Sequence, residues 1–379
     1  MATDTFFDEF QPVSKAGWLA RVAQDLKDRQ PESLDWHSPL GFQISPLVHA
    51  DDFGNEFGFV PVESEPNNWE VVEGVYAADP VAANRISLDA LEGGAEGLSV
   101  YLTSSPDGQF FSQLLEGIYP DYIGLHFTGP GAQSNPGAIL GALQQVTSSR
   151  GIDSHALRGS IAFNPLAYER PDWRYMADLI TFASETFPHF RLIELPVGND
   201  GTAASELSAM IQRADACFRE LSSRGISVER IAGTTSVSLG VGTSYFAEIA
   251  RIRALKILWL NLADVWKSPL ILPEISATTH AGAYTDELYT NMVRSATIAM
   301  SAVIGGADRL QISPYDEYRS EKSGYPPAFG KRIARNVQHL LKMECHLNEV
   351  TDPSSGSYYI EKLTAMIAEA AWSKKFDTD

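Results

Sequence analysis

The chain has 379 residues, 44% of them hydrophobic and 20% charged, with a formal net charge of −19. That is ample apolar material for one large core or two smaller ones, and it excludes a disordered chain. The excess of acid disfavours non-specific binding to nucleic acid or anionic membrane, both polyanions, while leaving room for an anionic ligand in a local arginine pocket.

In chain order, the opening MATDTFFDEF has no basic region followed by an apolar stretch, so no signal peptide is read there. The first sixty or so residues lack sustained periodicity, and within them Ser14 to Asp25 reads as one short helix. Residues 1–68 are read as an irregular arm that packs against something else, and residues 69–379 as the globular unit. A helix is predicted from Pro80, whose missing N–H is harmless at a helix start, to the Gly93-Gly94 pair. Eight short apolar runs then read as strands: GLSVYL from Gly97, YIGLHF from Tyr122, GSIAFN from Gly159, RLIELP from Arg191, IAGTTSVSL from Ile231, LILPEISA from Leu270, RLQIS from Arg309 and HLNEV from His346. Helical stretches separate them. Leu207, Met210, Ile211, Ala214, Phe218 and Leu221 fall on one face, as do Met176, Leu179, Ile180, Ala183 and Phe187, and again Ile360, Leu363, Ile367 and Ala371.

Strands that alternate with helices must run parallel, because each helix carries the chain back across the sheet. Eight such units suit an α/β fold of the (β/α)8 TIM-barrel class, for which about 250 residues is typical. The rival is a doubly wound open sheet, and no G-x-G-x-x-G follows Leu102 to announce one. The longest uncharged run, Ser295 to Ala307, is too short for a bilayer. Cys217 and Cys345, the only two cysteines, both fall in segments read as helical and form no metal motif, so reduced thiols in a soluble cytoplasmic protein are expected.

Several strands carry hydroxyl residues where a barrel interior usually holds Val, Ile and Leu: Thr234, Thr235, Ser236 and Ser238, then Ser276, Thr278 and Thr279. Some must face the lumen. They line a polar, extended ligand or bond to backbone and buried water, and taken alone the second reading is preferred. At the expected C-terminal strand ends the ionisable residues are sparse: His280, Asp316 and Glu317, with Arg174 a little downstream of the third run. They form no triad and no metal-ligand spacing.

Two segments carry a specific resemblance. R-I-A-R-N-x-Q at Arg332 to Gln338 and D-P-x-x-G-S-Y at Asp352 to Tyr358 closely match coenzyme-B12-type acyl-CoA mutases, methylmalonyl-CoA mutase above all. AANRISLDALEGGAEGLSV (Ala82 to Val100), VGTSYFAEIARIRALKILW (Val241 to Trp259) and the stretch Thr279 to Tyr318 are similar to the same family, so the resemblance runs from about Trp69 to the end. It implies a barrel whose small hydrophilic side chains surround acyl-CoA pantetheine along the axis. It also implies adenosylcobalamin on a separate domain bearing D-x-H-x-x-G. The chain stops at the barrel's last helix, and its near-match, Asp153-Ser154-His155 with Gly159, has one residue too many before the glycine.

The chain departs from the family at the thioester site. The resemblance places a carbonyl-polarising histidine where this sequence has LPVGNDGTAASEL (Leu195 to Leu207), and there is no histidine between His189 and His280. Asn199 would offer one hydrogen bond there but no comparable proton donor. The family's sixth-strand glutamine is replaced in the neighbourhood of Ala277 or Thr278, whereas Arg174 stands where the family has a carboxylate-binding arginine. A surface arginine in a first helical turn is the competing reading. The resemblance therefore implies a vestigial substrate set (Arg174, Asn199, Thr278, His280) with no catalytic residue, no metal and no cofactor bound by this chain. The leading expectation is the non-catalytic small subunit of a heterodimeric mutase, whose large catalytic partner carries adenosylcobalamin. The alternatives are a catalytic barrel served by a separate cobalamin-binding chain, or a stand-alone acyl-CoA-binding barrel. Partners in nucleic acid or membrane are not expected.

Overall fold

The computed structural model describes residues 13–38, 40–53, 67–198, 201–269 and 271–376. Eight βα units follow one another. They are β1 (Glu70–Ala77) and α1 (Pro80–Glu92), β2 (Gly97–Leu102) and α2 (Gly108–Leu114), β3 (Gly124–Thr128) and α3 (Pro136–Arg150), and β4 (Arg158–Ile161) and α4 (Trp173–Thr186). Next come β5 and α5 (Ala203–Ser222), β6 (Thr235–Val241) and α6 (Tyr245–Val265), β7 (Glu274–Thr279) and α7 (Leu288–Gly305), and β8 (Arg309–Gln311) and α8 (Pro327–Met343). A further helix, α9 (Tyr358–Phe376), ends the described chain. Strand β5 is in two pieces, His189–Arg191 paired with β4 and Ile193–Pro196 paired with β6, so the nine hydrogen-bonded segments are eight strands closed into a parallel barrel.

Local chemistry starts the helices, at Pro80 where the sequence predicts and at four further caps. Asp79, Asp107, Asn135, Asp172 and Thr202 each accept a backbone N–H in the first turn of α1 to α5, satisfying a donor the helix cannot. The predicted apolar faces of α4 and α5 are buried against the sheet. Cys217 lies in α5, and burial pushes its thiol up to about 12. Helix α9 buries Ile360, Leu363, Ile367 and Ala371 as it packs across α5 and α6.

The structure corrects the strand count at both ends of the barrel. WEVVEGVYA was passed over, yet Glu70–Ala77 is β1. HLNEV is no strand: His346 has φ 52, and Leu347–Glu349 forms a short 3-10 turn. The run from Ile231 enters its strand only at Thr235, because Val228–Gly233 is helical with Thr234 at its end. Cys345 lies in the turn after α8 rather than in a helix, and it is exposed. Near the N-terminus, Lys15–Leu26 is helical with Ser14 as its cap, as the sequence predicts. The stretch after it seats on this chain's own barrel, where the Leu40 carbonyl accepts the Ala203 N–H at 3.0 Å at the head of α5.

Candidate functional site

The strand registers decide which residues see the lumen. Gly74 lies beside Ser99 and Tyr76 beside Tyr101, while Ser99 lies beside His126 and His126 beside Ser160. Across the barrel Glu194 lies beside Ser236, Ser238 beside Ser276, and Thr278 beside Gln311. Strand side chains alternate, so these residues share the inner face. The intervening Val71, Leu98, Val100, Leu125, Phe127, Val237 and Leu239 are buried against the helices. This barrel is therefore apolar outside and polar within. Of the expected hydroxyls, Ser236, Ser238, Ser276 and Thr278 lie on the lumen face. Thr235 faces out and donates to the Ile231 carbonyl at 2.7 Å, and Thr279 faces out and accepts the Ser313 N–H at 3.0 Å.

Arg309 crosses the axis. From β8, the Arg309 guanidinium donates to Ser160 Oγ on β4 at 2.7 Å and to His126 Nδ1 on β3 at 2.6 Å. It also pairs with Glu274 on β7 and, at 3.6 Å, with Glu194 on β5. Strands β8 and β4 are opposite walls of an eight-stranded barrel, so this side chain, 6% exposed, spans the lumen. A planar guanidinium with five donors can serve several walls at once. Because Arg309 donates to Nδ1, that nitrogen accepts, and Nε2 carries the proton given to Glu70 Oε2 at 2.7 Å on β1. Above this layer a cavity of about 400 Å³ opens at the C-terminal strand ends, where the Tyr76 and Tyr101 rings stack with centroids 5.5 Å apart. Below it a separate cavity of about 480 Å³ is bordered by Glu70, Arg158, Glu274 and Asp308.

Burial alone would raise the Glu70 carboxyl, but the His126 hydrogen bond and the charges of Arg158 and Arg309 outweigh it and hold the group below the usual carboxylate range. A depressed folded value means stability that is present above the unfolded value and lost as pH falls through the folded one. Glu70→Gln is therefore expected to lower stability by about 1.5–3 kcal/mol at neutral pH. Urea titrations of both proteins across pH should show the difference shrinking in acid; a constant gap would contradict the assignment.

Three of the four expected substrate residues lie among the described residues. Arg174 stands exposed in the first turn of α4 and makes no hydrogen bond or ion pair among the described residues. Asn199 lies outside the described residues. Thr278 and His280 are neighbours at the end of β7, and His280 Nδ1 accepts the Gly282 N–H at 3.0 Å, leaving its Nε2 to donate. Behind the β5 and β6 ends, Arg251 bridges Glu206 and Glu248 at 3.1 Å each. The two carboxylates accept the Gly201 and Gly242 N–H groups at 2.9 Å, which fixes the loops on either side. Burial pushes the Glu248 carboxyl up. Neither this clamp nor the Arg309 layer was read from sequence, since the partners lie far apart along the chain.

Comparison with known proteins decides the family. The profile described as "Methylmalonyl-CoA mutase" matches residues 92–377. The chain belongs to the methylmalonyl-CoA mutase family. Within it, the chain is 30% identical to the "Methylmalonyl-CoA mutase small subunit" of Porphyromonas gingivalis, over 97% of this chain and 63% of that protein. It is 29% identical to the protein of the same name from Streptomyces virginiae, over 90% and 58%. To the human "Methylmalonyl-CoA mutase, mitochondrial" it is 25% identical, over 93% and 53%. The chain thus spans between half and two thirds of the length of these mutase relatives.

The segments that carry the mutase resemblance are structural joints. In the first, Arg335 pairs with the buried Glu73 and so bolts α8 to β1, while the Arg332 guanidinium lies 5.2 Å over the Phe329 ring. Gly93 is required beneath this joint, because a Cβ there would strike the Arg335 guanidinium. In the second, Asp352 takes Arg253 at 3.0 Å and Gly356, at φ 84, gives its N–H to Glu361, which anchors the start of α9 on α6. The near-match to the cobalamin motif, Asp153 and His155, sits in an exposed 3-10 turn between α3 and β4, where Asp153 Oδ1 lies 3.1 Å from the His155 ring.

Proposed function

We propose that this chain is a non-catalytic partner subunit of an adenosylcobalamin-dependent acyl-CoA mutase, with turnover and cobalamin on a larger chain. One observation carries the reading: Arg309 crosses the barrel axis and is held from four other strands. An acyl-pantetheine lying along that axis would have to displace it and strand Glu274 and Glu194 without their main counter-charge. Two further facts support it. The sequence places no imidazole between His189 and His280, and two of the relatives aligned over nine-tenths or more of this chain are named small subunits. Within the arm of residues 1–68, the helix Lys15–Leu26 is the natural contact with the larger chain, since it has no buried residue of its own.

The test is turnover of the reconstituted pair with methylmalonyl-CoA. Arg174→Ala in this chain is expected to leave the rate unchanged, and this chain with a detached cobalamin domain is expected to be inactive. A fall of about a hundredfold from Arg174→Ala, the size typical of a lost transition-state donor, with folding and pairing intact, would show that this barrel does chemistry.

A further inference from the structure

We propose that the Arg309 bar is a proton-operated switch: when His126 takes up a proton, the guanidinium leaves β3 and β4 and no longer crosses the axis. The switch lies in the geometry of the layer and holds whether or not the chain pairs with a catalytic partner. His126 is 4% exposed and Ser160 1%, so bulk water does not replace a lost partner there. In the neutral imidazole Nδ1 is an acceptor, and Arg309 Nη1 donates to it at 2.6 Å. A proton on Nδ1 would point straight at that donor, and two cations would face each other at hydrogen-bond distance in the interior. The imidazolium and the seated guanidinium therefore exclude each other.

Both states have their hydrogen bonds ready. With His126 neutral, Nε2 donates to Glu70 Oε2 at 2.7 Å and Nδ1 accepts from Arg309. With His126 charged, Nε2 keeps Glu70, and the new Nδ1 proton finds Ser160 Oγ already 2.9 Å away. That hydroxyl oxygen can accept it once Arg309 has gone. Arg309 in turn keeps Glu274, and both border the cavity of about 480 Å³ below the layer, which gives the guanidinium room to swing. Two arrangements of one side chain, biased by one proton, make a bistable element.

The charges around the layer permit both states. Among the described residues they are Glu70 on β1, Arg158 on β4, Arg191 and Glu194 on the two pieces of β5, Glu274 on β7 and Arg309 on β8. Strands β2 and β6 place the uncharged Ser99 and Ser236 beside them, and Asp308 and Glu96 border the cavity below. Arg158 and Arg191 are 58% and 29% exposed, so Glu70, Glu194 and Glu274 have Arg309 as their one deeply buried cation. A second cation is tolerated, but not against Arg309. Glu70 is its counter-ion. Burial raises that carboxyl, yet the His126 hydrogen bond and the arginine charges hold it below the usual carboxylate range, so it is still ionised where an imidazole protonates. Falling pH thus charges His126 beside an ionised Glu70, and the contact that gives way is the one with Arg309.

The test is NMR of the full chain labelled with nitrogen-15 at histidine and arginine, between about pH 8 and about pH 5, the range in which histidine changes charge. His126 Nδ1 is expected to change from an acceptor to a protonated nitrogen, with loss of the resolved Nη signals of Arg309 at the same midpoint. Glu70→Gln, which removes the counter-ion, should move both changes together to lower pH. His126→Asn, whose amide oxygen can accept from Arg309 but takes up no proton, should keep the Arg309 signals throughout; circular dichroism and Tm confirm the fold of each. The coincidence in the unsubstituted chain decides the matter even where a variant does not fold. Loss of the Arg309 signals in His126→Asn at the same pH would overturn the proposal by showing that another group drives the change. A His126 that gains its proton with Arg309 still seated would overturn it too, as would an Nδ1 that stays unprotonated until the chain unfolds.

Discussion

Replacing Arg251 by alanine is expected to lower the stability of the fold by about 3–5 kcal/mol, the usual cost of breaking a buried ion pair by removing one partner. Arg251 is 3% exposed and stands between Glu206 and Glu248, which are themselves 6% and 4% exposed. Without it two carboxylates face each other in the interior with only the Gly201 and Gly242 N–H groups to hold them. The loss should shrink in acid, since burial already raises the Glu248 carboxyl and a protonated pair no longer repels. Equilibrium urea unfolding at neutral and mildly acidic pH checks both points. A loss under about 1 kcal/mol, the range of an exposed pair, would show that the triad is not the clamp described.

A comparable loss, again about 3–5 kcal/mol, is expected from Arg309→Ala. Removing the guanidinium strips Glu194 of its ion-pair partner, leaves Glu274 with only Arg191 at 3.7 Å, and deprives Ser160 and His126 of their shared donor. Arg309→Lys should recover little, because an ammonium has three donors at one point and cannot meet four strands as a planar fork does. Thermal unfolding of the three proteins gives the ranking. If lysine restores most of the stability, the charge alone matters and the multi-strand geometry does not.

Much of the architecture was legible from sequence because it rests on local periodicity. The apolar stripes of α4 and α5 and the alternation of strand and helix are properties of short windows, as is the Ser14 cap of the first helix. The failures are equally physical. β1 was missed because Glu70 and Glu73 interrupt what would otherwise read as an apolar strand, and each acid finds its partner far along the chain, a hydrogen bond from His126 for one and the Arg335 guanidinium for the other. HLNEV looked like a strand, but its position after α8 makes it a turn into α9 rather than a barrel wall. The expected substrate residues were placed by likeness to a family; the structure puts Arg174 in the first turn of α4 and Thr278 and His280 at the end of β7.

By itself, then, the sequence determined the class of fold, most of the run of βα units, the mutase kinship and the absence of a histidine between His189 and His280. Whether the barrel is open along its axis was decided only by tertiary structure. Arg309, His126, Ser160, Glu70, Glu194 and Glu274 come from six different strands, and no window of sequence brings any two of them together. They meet because closing a parallel sheet turns alternate residues of every strand onto one axis. There an arginine that would be solvated on a surface becomes the bar across the lumen.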